Sequence, residues 1–232
     1  MNNTKKIAII GKGKTGGRVV ELMQDARRPH DVFDSHTDFT SVSWNSYCGA
    51  IVFIPATALA QHLETFIQSN LPMVIGTTGF DFQSDLKQKL ITRKIGWIHG
   101  RNFSLGMQLM HSILTYLGTA ISLLPDAKGH IHEIHHTKKL DAPSGTAKAW
   151  AEWYGDKNIP ITSERLGDVI GDHSFTLTTP LEKITVQHQA LSRTIFAQGA
   201  VWALDFLLQN YKSKQLYGLL PFEQIVPLAL QP

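Results

Sequence analysis

Gly11-Lys12-Gly13-Lys14-Thr15-Gly16 spaces three glycines as GxGxxG between the apolar run Ile7-Ala8-Ile9-Ile10 and a helical stretch from about Arg18 to Arg27. Few features restrict a chain more. A continuous apolar run suits a strand buried on both faces, and a glycine turn that opens straight into a helix belongs to a βαβ unit. The first glycine makes the turn, the second lets the backbone approach a pyrophosphate, and the third lets helix pack closely on strand. The helix start offers unpaired amides and the positive end of its dipole to phosphates. Asp34, 18 residues past Gly16, closes a second strand at His30–Asp34. A carboxylate there can accept the adenosine ribose hydroxyls. Together these residues predict a dinucleotide site. Asp34 repels a 2′-phosphate and favours NAD, while Lys12, Lys14 and His36 lie near enough to leave NADP possible.

The same rhythm continues. Ala50–Ile54, Met73–Ile75 and Ile95–Ile98 read as further strands, separated by helical patterns over Thr57–Gln68 and Asp81–Arg93. Strands and helices alternating at this spacing predict a Rossmann-like, doubly wound parallel sheet. The rhythm then changes. Gly106–Leu124 reads as one long helix, Gly129–His136 as a strand, and Gly145–Tyr154 as a helix started by Pro143 and Ser144. From Arg165 to Leu191 the pattern is β, with Ile184, Val186 and His188 alternating, and Ser192–Tyr211 is a last apolar-rich helix. The expected fold is α/β: a dinucleotide-binding domain over 1–103, to which 213–232 returns, and a smaller α+β domain with a mixed open sheet over 104–212.

Composition narrows the function. The chain has 232 residues, 43% hydrophobic and 18% charged, with a net charge of +3 and no basic tract longer than two residues. Nothing there argues for a nucleic-acid surface. The apolar-rich stretch Leu105–Leu124 is interrupted by Gln108, His111, Ser112 and Ser122, so it does not read as a membrane span. Met1-Asn2-Asn3-Thr4-Lys5-Lys6 leads into the first strand without a signal-peptide pattern, and the single Cys48 excludes a disulfide framework. The expected compartment is the cytoplasm and the expected partner a small molecule.

Eleven histidines are unusual, and four of them fall within residues 130–136. On a strand His130 and His132 share a face, with Glu133 on the other, so a zinc hydrolase is one reading. No third ligand has a spacing that demands it, and the expected metal is none. The continuation carries more chemistry. In Glu133-Ile134-His135-His136-Thr137-Lys138-Lys139-Leu140-Asp141-Ala142-Pro143-Ser144-Gly145-Thr146-Ala147, either His135 or His136 can exchange a proton near neutral pH. Lys139 can present an ammonium or donate a proton. The helix start at Gly145 and Thr146 offers amides and a hydroxyl to an anion. Fully extended, residues 135 and 139 would lie roughly 13 Å apart, so the segment must curl for both to reach one small substrate.

That string resembles the signature of the dihydrodipicolinate (4-hydroxy-tetrahydrodipicolinate) reductase family. Gly76-Thr77-Thr78-Gly79-Phe80, Asn102-Phe103-Ser104-Leu105-Gly106, Gly167-Asp168 to His173, and His188 through Ser192-Arg193 to Gly199-Ala200 also resemble it. The resemblance implies an NAD(P)H-dependent reductase of 4-hydroxy-2,3,4,5-tetrahydrodipicolinate in lysine and diaminopimelate biosynthesis. It implies His135 as proton donor/acceptor, Lys139 as proton donor, and His136, Gly145 and Thr146 as holders of the substrate carboxylates. Gly11 to Gly16, Asp34, Gly76, Thr77, Thr78, Gly100, Arg101, Asn102 and Phe103 would contact the dinucleotide. Family members are usually tetramers paired through their substrate-domain sheets. The chain departs from the pattern in its short length, in Phe53-Ile54-Pro55-Ala56, and in His99-Gly100-Arg101. A reductase of another cyclic or imino carboxylate is the nearest alternative.

Overall fold

A computed structural model describes residues 5–230 of the chain. Met1–Thr4, read above for a leader pattern, and the last two residues of the returning tail lie outside them. The chain divides into two compact units, one made of residues up to Ser104 and from Thr194 onward, the other of Leu105–Arg193.

The first unit is a six-stranded parallel sheet in the order β10-β5-β4-β3-β1-β2. Its strands are β1 (Lys6–Ile10), β2 (His30–Phe33), β3 (Tyr47–Val52), β4 (Met73–Ile75), β5 (Gly96–His99) and β10 (Gly218–Pro221). Ile7 to Ile10, Ala50 to Val52 and Met73 to Ile75 are all buried, as strands covered on both faces must be. The doubly wound reading is borne out. The order reverses between β1 and β3, which opens a crevice beyond their carboxyl ends. Helices α1 (Lys14–Asp25), α2 (Ala56–Gln68) and α3 (Leu86–Thr92) connect the early strands. α1 starts within the glycine motif, four residues earlier than the apolar pattern indicated, because Gly13 takes the N-cap position.

One boundary needs correcting. The expected second domain, 104–212, includes helix α6 (Thr194–Asn210), yet α6 packs against α1, β3, β4 and β5 of the first unit. The cause is steric. Gly49 on β3 and Gly96 on β5 leave room for Leu204 and Leu207 of α6, which a side chain at either glycine would strike. Arg28 and Asp205 add a bidentate ion pair at 2.6 and 2.8 Å between α6 and the segment after α1. A closing helix, α7 (Phe222–Ala229), was not read from the sequence.

The second unit holds α4 (Leu105–Ala120), β6 (Lys128–His135), α5 (Gly145–Tyr154), β7 (Ile161–Arg165), β8 (Asp172–Thr178) and β9 (Lys183–Gln189). Its mixed sheet runs β7-β6-β8-β9, with β7 parallel to β6 and the other pairs antiparallel. Met107, Met110 and Leu114 of α4 and Trp150 of α5 bury against Ile131, Phe175 and Leu177 on one face. The opposite face carries His130, His132, Thr162, Thr176, Thr185 and Gln187, as strict alternation along the strands requires. No helix among the described residues is long and apolar enough to cross a membrane.

Candidate active site

The glycine loop leaves β1 at the reversal point. Gly11, at φ +94°, donates its N–H to Phe33 O at 2.8 Å and lies so close to Phe53 O that a Cβ could not be placed. Gly16 is equally tight against the Gly11 carbonyl, which sets the close start of α1. Gly13 is the opposite case: a Cβ there would meet nothing within 4 Å. As the N-cap it supplies no side-chain acceptor, and α1 has no acid in its first turn. An uncapped helix start beside open space is what a pyrophosphate needs, so the residues fit a dinucleotide.

Asp34 follows β2 and takes an ion pair from Lys12 Nζ at 2.8 Å and the His36 N–H at 3.1 Å. The Lys12 ammonium, then the His36 amide, hold its carboxyl below the ordinary range. Gly76, Thr77 and Thr78 follow β4, and Gly100, Arg101, Asn102 and Phe103 follow β5, so both groups lie at the carboxyl edge of the sheet. Thr77 donates to Ile54 O at 2.9 Å, and a Cβ at Gly76 would collide with the Phe53 ring. Thr78 and Arg101 are exposed, whereas the Phe103 ring is buried against Phe53 and Phe222. Phe103 therefore offers only its backbone to a ligand.

In the second unit, β6 turns Ile131, Glu133 and His135 toward the helices. Glu133 is 0% exposed and His135 7%. Glu133 Oε1 accepts the Ser144 N–H at 2.9 Å and the Ser163 hydroxyl at 2.8 Å, with Arg165 Nη2 at 3.6 Å. Its Oε2 faces His135 Nδ1 and His173 Nε2, each at 3.6 Å. Burial alone would raise the Glu133 carboxyl, but His173, Ser144 and Ser163 together hold it far below the usual range. Burial pushes His135 down to about 4, helped by His173, Lys139 and Arg165 and opposed by Glu133. His135 is thus neutral at neutral pH.

The segment after β6 curls as expected. The Lys139 N–H donates to His136 O at 3.1 Å, and Thr137 N–H to Gly167 O at 3.1 Å. Lys139 Nζ is held by Asp141 Oδ1 at 2.6 Å. Arg165 donates to the carbonyls of Lys139 and Asp141, tying the turn to the end of β7. Ser144 caps α5, its hydroxyl oxygen accepting the Ala147 N–H at 3.1 Å. Gly145 and Thr146 form the first turn behind that cap, where amides suit an anion.

His135, His136, Lys139, Gly145 and Thr146 therefore share one unit, and the predicted dinucleotide residues share the other. His130 and His132 lie on the open face, where both contact Thr162 Oγ1, at 3.2 and 2.9 Å. The three donors that do converge among the described residues are Glu133, His135 and His173, whose ligand atoms lie within 4.8 Å of one another. Sequence reading missed the parts played by Glu133, His173 and Arg165. A buried carboxylate two residues before a histidine on one strand face was the available signal for Glu133.

Comparison with known proteins settles the lineage. The profile of the dihydrodipicolinate reductase C-terminus matches residues 106–221, and that of its N-terminus matches residues 31–103. The chain belongs to the dihydrodipicolinate reductase family. The 4-hydroxy-tetrahydrodipicolinate reductase of Christiangramia forsetii is 33% identical over 221 residues, 87% of this chain and 91% of that protein. The enzyme of that name from Thermosipho africanus is 31% identical over 227 residues, 95% and 97% of the two chains. A solved structure of dipicolinate-bound dihydrodipicolinate reductase from Paenisporosarcina sp. TG-14 has the same fold, with a TM-score of 0.73 and 23% identity over 96% of this chain and 99% of that one. The family resemblance read from the string Glu133–Ala147 is borne out. The N-terminal profile begins after the glycine loop, so at Gly11–Gly16 the dinucleotide reading stands on local geometry.

Proposed function

We propose that this chain reduces 4-hydroxy-2,3,4,5-tetrahydrodipicolinate to 2,3,4,5-tetrahydrodipicolinate and water with NAD(P)H, in lysine and diaminopimelate biosynthesis. The observation that carries the reading is the curled segment from His135 to Thr146, which puts a buried imidazole, an ammonium and a capped helix start on one turn. The named relatives support it.

His136 and the amides of Gly145 and Thr146 take the substrate carboxylates, with the Thr146 hydroxyl adding a bond. The dinucleotide, when bound, supplies the hydride. The departing hydroxyl needs one proton to leave as water, and Lys139, paired with Asp141, delivers it. His135, neutral in the free protein, accepts a proton and returns it. Gly11 to Gly16 take the pyrophosphate and Asp34 the ribose, which favours NADH. Lys12, already paired with Asp34, leaves NADPH usable. The enzyme works in the cytoplasm as a homotetramer paired through the open faces of its four-stranded sheets.

The test is oxidation of NADH and NADPH in the presence of freshly generated 4-hydroxy-tetrahydrodipicolinate. Substrate-dependent oxidation of both, with the lower Michaelis constant for NADH, is expected. No oxidation of either would overturn the assignment.

A further inference from the structure

Ser163 on β7, Glu133 on β6, His173 on β8 and His188 on β9 are register partners in one row across the sheet. The neighbouring row on the same face is Ile161, Ile131, Phe175 and Val186. An apolar quartet therefore fits this sheet, and packing alone does not call for a charge here. A buried carboxylate costs stability unless its contacts repay the lost hydration. Glu133 Oε1 is satisfied by Ser144 and Ser163, while Oε2 has no hydrogen-bond partner and points between two imidazoles.

The next row toward the carboxyl end of β6 brings Arg165 beside His135 on one side. On the other side stands Gly171, where an added Cβ would lie 3.3 Å from His135 Nε2. Nδ1 is the ring atom turned to Glu133 and buried without a hydrogen-bond partner, and Nε2 is the one turned to Gly171, which carries no side chain. Glu133, His173, Arg165 and Lys139 are the charged or titratable groups that bear on the ring, and of these Glu133 is the anion. His188 stands one strand further away, on β9 behind His173, and Asp172, next to His173 on β8, turns its carboxylate to the opposite face, where it accepts from Gln187.

We propose that Glu133 is the positioning residue of this site: its Oε2 keeps the His135 proton on Nδ1, leaving Nε2 as the proton-accepting atom, while its Oε1 fixes Ser144 and so the first turn of α5. A single buried side chain then sets both the tautomer of the proton-transfer group and the place of the carboxylate-binding amides. The tautomer of a histidine is fixed by what its other nitrogen faces, and an anion facing Nδ1 favours Nδ1–H. This rests on the proposed function for the roles of His135 and α5.

Glu133→Gln separates the two duties. Its amide oxygen can still accept from Ser144 and Ser163, which turns its NH₂ toward His135 Nδ1 and forces that nitrogen to accept. The ¹⁵N shifts of the His135 ring in the ligand-free chain at neutral pH read the result directly. Wild type is expected as the Nδ1–H tautomer and Glu133→Gln as Nε2–H, with kcat lowered about 100-fold or more and the substrate KM changed less than about threefold, by analogy with carboxylate-to-amide changes behind other catalytic histidines. A wild-type ring protonated at Nε2 overturns the proposal, whether or not the variant folds. So does an unchanged tautomer in Glu133→Gln. The ring measurement needs no substrate, so absence of turnover in the wild type would defeat the functional reading and leave the Glu133 assignment to the ¹⁵N result.

Discussion

Two helix starts in this molecule face anions in the proposed reaction, and they are built in opposite ways. α1 begins at Gly13 with no capping side chain and open space where a Cβ would stand. α5 begins at Ser144, whose hydroxyl caps Ala147 and whose amide is held by a fully buried carboxylate. In the proposed reaction the first start is open for a large ligand to supply its missing partners. The second is stiffened from behind, so that its amides would stand in place before a small ligand arrives. Clearing uses glycine and leaves the helix end unsatisfied. Stiffening uses buried charge, which is stable only while Glu133 keeps its contacts.

The comparison breaks most visibly at the residues of the second site. Lys139→Ala and His135→Ala should each lower turnover by about 10²–10⁴-fold, while NADH binding, followed by its fluorescence, stays intact. Loss of NADH binding in either variant would show that the two starts are not separate devices. Exchanging the designs comes next. Gly13→Ser gives α1 the cap it lacks and should raise stability by about 0.3 kcal/mol while weakening NADH binding about tenfold. Ser144→Ala should lose about 1–2 kcal/mol and raise the substrate KM. Thermal melts and substrate titrations check both signs.

Acid should distinguish the starts as well. His135 is held near 4 in the folded chain against an ordinary 6.5. Between those values the unfolded chain binds a proton that the folded one does not. Unfolding free energy should therefore fall as pH drops from about 6.5 to about 4, by an amount on the order of 3 kcal/mol. Urea unfolding across that range should show the loss, and His135→Gln should reduce it, leaving the part contributed by His99 and His188, which burial also pushes down. The smallest effect is expected at Asp34, which is half-buried and already paired with Lys12. Asp34→Ala should raise the KM for NADH by about fivefold, and that for NADPH by less. Equal changes would remove Asp34 from the ribose.

The two starts also differ in how they appear in sequence. The glycine loop is local: strand, turn and helix lie within residues 6–25, and each glycine has its own steric reason, so the pattern reads directly. The string His135–Thr146 is local too, and its curl followed from chain geometry. Glu133 is different. Its partners Ser163 and His173 come from other strands, and only the pairing register places them opposite it. The four-histidine cluster divides for the same reason, since alternation sends His135 inward and leaves His130 and His132 against Thr162 outside. Helix α6 was misassigned because its small residues Ala197, Gly199, Ala200 and Ala203 suit close packing on either sheet. Gly49 and Gly96 decide between them, and their meaning shows only once α6 lies over them.

The most direct measurement is label transfer from NADH carrying deuterium on the transferring face of C4. Incubated with 4-hydroxy-tetrahydrodipicolinate and this chain, it should give tetrahydrodipicolinate containing one deuterium, and Lys139→Ala should give almost none. A ring product without deuterium, or equal labelling by the Lys139→Ala variant, would contradict the account.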